Sequence, residues 1–79
     1  MLDEQRLQRL FRAALDLPED TDVTALEYSK HENWDSLGHM ALVAEIEDEY
    51  DLMLDTDDVL GLSSYSVAVQ MLKRLGVDT

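Results

Sequence analysis

Apolar residues recur with the period of a helix in three stretches of this chain. Leu7, Leu10, Phe11 and Ala14 fall at i, i+3, i+4 and i+7 and predict one buried stripe. Asp3 stands where a cap should stand, and Glu4 follows in the first turn. Arg6, Arg9 and Arg12 lie mostly off the stripe and read as a solvated face. Pro18 disfavours helix at Leu17 and ends the element near there. Leu42, Val43, Ile46 and Tyr50 predict a second helix over Ser36–Tyr50. Tyr65, Val69 and Leu72 predict a last one, with Ala68, Met71 and Leu75 beside them. Ser63 or Ser64 caps it, Lys73 and Arg74 complement its C-terminal dipole, and Gly76 stops it. Before it, Thr56-Asp57-Asp58-Val59-Leu60 predicts one or two helical turns, capped by Asp55 or Thr56 and ended by Gly61.

Glu19 to Trp34 is a long connection, with Val23, Leu26 and Tyr28 pinning it to the core. A connection longer than about 12–15 residues is unusual in a compact domain and is often functional. The fold expected is all-α: a small four-helix bundle of three longer helices and one short one, with a long first loop, as a single domain over residues 1–79. The expected core is Leu7, Leu10, Phe11, Ala14, Leu26, Leu42, Val43, Ile46, Tyr50, Leu54, Val59, Leu62, Ala68, Val69 and Leu72.

Charge narrows the function. The net charge is −12, which repels nucleic acid and anionic membrane alike. From His31 through Leu72 there is no Lys or Arg, while ten acidic residues lie in that interval. Such a one-sign field solubilises, and it also steers basic partners. There is no cysteine, hence no disulfide framework and no thiolate site. No apolar run approaches a membrane span, and Met1-Leu2-Asp3-Glu4 has no signal-peptide pattern. The chain reads as a cytoplasmic monomer without membrane insertion.

Asn33-Trp34-Asp35-Ser36-Leu37-Gly38-His39-Met40 opens the second helix. Asp35 is placed as its N-cap. Ser36 falls in the first turn, near unpaired N–H groups and the positive dipole end. That is a good place to carry a phosphate.

Here the chain resembles a known family. Asp35-Ser36-Leu37, followed by a helix rich in apolar and acidic residues near the middle of a short, acidic, cysteine-free chain, is similar to the attachment site of acyl carrier proteins. The resemblance runs roughly from Leu2 to Leu75. It implies 4′-phosphopantetheine from coenzyme A, joined to Ser36 by a phosphopantetheinyl transferase, with acyl groups carried as thioesters on that arm. Asp35 is then helix cap and transferase-recognition residue. Partners are acyl-transfer and synthase enzymes with basic docking patches, met by Leu37, Met40, Ala44, Glu45, Glu47 and Asp48. Leu42, Ile46, Val59, Leu62, Ala68 and Leu72 are the candidate lining of an acyl pocket. The small Ala68 is equally accounted for by close helix packing. The carrier performs no reaction itself. An aminoacyl or peptidyl carrier, or an acidic helical interaction domain never modified at Ser36, are the alternatives.

Other chemistries fit less well. Asp35, Ser36 and His39 include the side chains of a hydrolase triad, but Trp34 replaces the first glycine of a nucleophile elbow and no strand precedes it. Asp55-Thr56-Asp57-Asp58 lacks a calcium loop's glycine and distal glutamate, since Leu60 and Ser66 hold those positions. No metal site is expected, and His31 and His39 read as exposed polar residues. Trp34 reads as a packing residue closing the loop over the second helix. Gly38 and Ala41 stand where the resembling family usually has acids. That leaves the attachment chemistry intact and makes a specialised lipid, polyketide or aminoacyl pathway as open as general fatty-acid synthesis.

Overall fold

In a computed structural model, which describes residues 1–78, the chain is all-helical. The helices are α1 (Glu4–Ala14), α2 (Ser36–Tyr50), α3 (Thr56–Gly61) and α4 (Tyr65–Arg74), and a single 3-10 turn at Val23–Ala25 interrupts the long first loop. No helix among the described residues is long and apolar enough to cross a membrane.

Each start is set by a side chain close in sequence. Asp3 accepts from the amides of Gln5 and Arg6, Asp35 from Gly38, Asp55 from Asp58, and Ser64 from Val67. A short oxygen-bearing side chain with extended backbone reaches the amides that a helix start leaves unpaired. Ser64, and not Ser63, is therefore the cap of α4. Three ends use a left-handed residue: Asp16, Asp51 and Gly76. Beyond each, an amide returns to a carbonyl five residues back: Leu17 to Arg12, Leu52 to Glu47, Val77 to Leu72. α1 thus stops at Ala14, three residues before Leu17. Gly61 is the last residue of α3 and lacks a positive φ, so it does not act as a left-handed stop.

One core joins the elements. Leu7, Leu10, Phe11, Leu42, Val43, Ile46, Leu54, Leu62, Ala68 and Leu72 are buried as expected. Ala14, Leu26, Tyr50, Val59 and Val69 lie at its edge, only partly buried. The centre is aromatic. Phe11 meets Trp34 edge-on at 5.6 Å and Tyr65 at 5.3 Å, the geometry that ring quadrupoles favour. Trp34 is fully buried, which makes it a packing residue. It anchors the end of the first loop, which is pinned again by an isolated antiparallel bridge between Glu27 and Ser64. There Tyr28 N–H donates to the Ser63 carbonyl at 2.8 Å, and Tyr65 N–H to Leu26 at 3.3 Å.

The arginines of α1 are less solvated than their positions imply. Arg6 pairs with Glu49 and lies 5.1 Å from the centre of the Tyr50 ring. Arg12 donates to the Thr21 carbonyl at 2.9 Å. Both hold α1 to its neighbours, and Arg9 alone is fully exposed.

Candidate functional site around Ser36

Ser36 is exposed and is the first residue of α2. The Asp35 carboxylate accepts the Gly38 amide at 2.9 Å. The first intrahelical bond runs from His39 N–H to the Asp35 carbonyl at 2.8 Å. The amides of Ser36 and Leu37 precede that bond, at the positive end of the helix. Among the described residues the Ser36 hydroxyl has no hydrogen-bond partner, and the residue is exposed.

Beside it lies an apolar surface. Leu37 is 82% exposed and Met40 60% exposed, and Ala41 and Ala44 are exposed too. These four repeat at i, i+3, i+4 and i+7, on the side opposite Leu42, Val43 and Ile46. The front half of α2 is therefore apolar on both faces, a pattern that a solvated helix does not need. Glu45 and Asp48 continue the outward stripe as exposed acids. Glu47 departs from it. Its carboxylate accepts the Leu54 amide at 2.9 Å and its carbonyl accepts the Leu52 amide at 3.1 Å. Of the six residues expected to meet a partner, Glu47 is the one half-buried and committed to anchoring the link into α3.

Gly38 owes its place to space and not to charge. A Cβ there would lie 2.2 Å from the Asn33 carbonyl oxygen and 3.2 Å from Cδ2 of Leu15. The loop backbone passes so close that no side chain fits.

His39 is also placed otherwise than expected. It is half-buried, and Trp34 Nε1–H donates to its Nδ1 at 3.1 Å while its Nε2 lies 2.8 Å from the Val59 carbonyl oxygen. Both ring nitrogens are engaged away from Ser36, so the triad arrangement is not formed. The other histidine, His31, is half-buried as well and accepts the Asn33 amide at Nδ1, 3.0 Å away.

The six residues assigned to an acyl pocket do come together. Leu42, Ile46, Leu62, Ala68 and Leu72 are buried in the core and Val59 packs at its edge. The grooves the surface does show lie along α1, between α3 and α4, and beside the Glu27–Ser64 bridge. The acidic run at the start of α3 is structurally employed: Asp55 caps the helix and Asp58 pairs with Arg74.

Compared with protein-family models, curated proteins and solved structures, the chain matches none.

Leu60 is a further exposed apolar residue, missing from the sequence-based set. It is 77% exposed and follows Val59, whose carbonyl is held by His39. That bond ties the residue before Leu60 to His39, the neighbour of Met40 in sequence. The only sequence signal was an apolar pair, Val59-Leu60, on a helix too short to bury both.

Proposed function

We propose that this chain is an acyl carrier protein, modified at Ser36 with 4′-phosphopantetheine and delivering thioester-bound acyl groups to partner enzymes. The observation that carries the reading is an exposed serine with an unpartnered hydroxyl at a capped helix start, bordered by the exposed apolar face of Leu37 and Met40.

The residues present fit the group. Ser36 Oγ is free to form the phosphodiester, and the amides of the first turn favour the phosphate's negative charge. Asp35 fixes the turn through Gly38 and leaves a carboxylate at the rim for a transferase to read. When bound, the arm supplies the thiol that carries cargo. This chain contributes position and recognition: a rigid helix start, an apolar patch, and the acids Glu45 and Asp48 for basic partners. The neutral Ala41 suits a specialised lipid, polyketide or aminoacyl pathway as well as general fatty-acid synthesis.

The test is intact mass after incubation with coenzyme A and a promiscuous phosphopantetheinyl transferase. Wild type should gain one phosphopantetheine, and Ser36→Ala none. An unmodified wild type, with a control carrier labelled in the same tube, overturns the reading.

A further inference from the structure

α3 has six residues and no buried residue of its own, well below the length at which a helix holds in isolation. Three tethers keep it in place besides packing of Val59: the Asp55 cap, the Asp58–Arg74 pair, and the bond from His39 to the Val59 carbonyl. The last joins three parts of the molecule, because His39 also receives the indole N–H of Trp34 at the end of the first loop.

The partners fix the form of the ring. A carbonyl only accepts, so Nε2 carries the proton. An indole N–H only donates, so Nδ1 does not. The two rings lie nearly parallel, 19° apart, and Tyr28 abuts His39 edge-on at 5.0 Å. A second proton on Nδ1 would point at the Trp34 N–H, donor against donor.

Few titratable or charged groups face the ring. From the first loop the neighbours are Trp34 and the Tyr28 phenol. At the start of α2 the cap Asp35 turns its carboxylate to Gly38. On α3 Asp58 precedes Val59, and it is paired with Arg74 of α4. Among the described residues no carboxylate hydrogen-bonds to the imidazole.

We propose that His39 is a positioning residue for the Ser36 site. Its neutral, Nε2-protonated ring fastens α3 beside the start of α2, so that Leu37, Met40 and Leu60 form one apolar platform. Uptake of a second proton at Nδ1 unfastens it. The use of the platform rests on the carrier reading, whereas the fastening does not.

Two variants separate the bonds. His39→Asn places an acceptor near the Nδ1 position and loses the donor to Val59. His39→Gln places a donor near the Nε2 position, and neither side chain titrates. Ring-nitrogen NMR shifts of the wild type should show the Nε2–H form at pH 7.5. As the pH is lowered until the ring-nitrogen shifts report a second proton on His39, exchange protection at Val59 and Leu60 should fall about fivefold, the scale of one lost hydrogen bond. The fluorescence of Trp34, the sole tryptophan, should change over the same range. His39→Asn should show weak α3 protection at every pH, and His39→Gln strong protection without a pH step. In acyl transfer from the loaded protein, acid should raise the partner's KM with kcat unchanged, and His39→Gln should abolish that rise relative to wild type.

The proposal is overturned if the ring is Nδ1–H at pH 7.5, if His39 titrates while α3 protection stays constant, or if His39→Gln behaves as His39→Asn. If the NMR results hold and wild type takes up no phosphopantetheine at any pH, the carrier reading fails and the positioning role fails with it, leaving the fastening as a feature of the fold alone.

Discussion

The backbone of Asn33 passes so near Gly38 that a Cβ on the glycine would sit 2.2 Å from the Asn33 carbonyl oxygen. In a free helix Gly→Ala gains about 1 kcal/mol. Here the sign reverses, because backbone cannot step aside as a flexible side chain can. Gly38→Ala should lose about 1–3 kcal/mol, the usual cost of overpacking, and Gly38→Asp at least as much. Urea unfolding checks this. A Gly38→Ala variant more stable than wild type would show that the loop yields freely.

Asp35 has a structural duty that can be separated from its charge. Removing the cap with Asp35→Ala should cost about 1 kcal/mol of stability. Asp35→Asn should unfold close to wild type, since Asn caps about as well as Asp. If a transferase reads the carboxylate, the Asp35→Asn variant should still load more slowly. Equal loading rates for wild type and that variant would confine Asp35 to capping.

Partner choice by charge is testable at Ala41, since Gly38 admits no side chain. Ala41 is exposed on the outward face of α2. An exposed charge pair is worth about 0–1 kcal/mol, so Ala41→Glu should improve turnover of the loaded protein by a general fatty-acid ketosynthase by up to about fivefold at low salt. At high salt the gain should vanish. No gain at low salt would mean that the neutral front is not a specificity device.

Alkaline pH should weaken the fold through Tyr65. Its phenol is pushed up to about 12, first by burial. Glu4, which accepts its proton at 2.9 Å, pushes the same way, while Gln8, donating at 3.3 Å, opposes. In the unfolded chain the phenol ionises near pH 10. Between about 10 and 12 the unfolded state has therefore lost a proton that the folded state keeps, so stability falls as pH rises, and it is fully present below 10. Burial raises Tyr50 as well, which adds to the same slope. Chemical denaturation from pH 8.5 to 12 should show the fall, shallower in Tyr65→Phe. An unchanged slope in that variant would remove Tyr65 as its source.

The sequence by itself determined the helices, their starts and the place of Ser36. The caps Asp3, Asp35, Asp55 and Ser64 bond to amides two or three residues onward, and contacts that short are written in residue order. The apolar stripe of α1 and the inward face of α2 are legible for the same reason, as period and burial coincide. Tertiary structure decided the surroundings of the site. Why position 38 must be glycine depends on the path of the first loop, which the buried Trp34 and the distant Ser63–Ser64 backbone hold in place. Whether His39 faces water or the core depends on Trp34 before it and Val59 twenty residues after it. Glu47 looked like any exposed acid until the link to α3 folded back onto it. A periodic pattern records which face of a helix is buried, but not which single atom waits there, and the atoms around this serine are supplied by other segments of the chain.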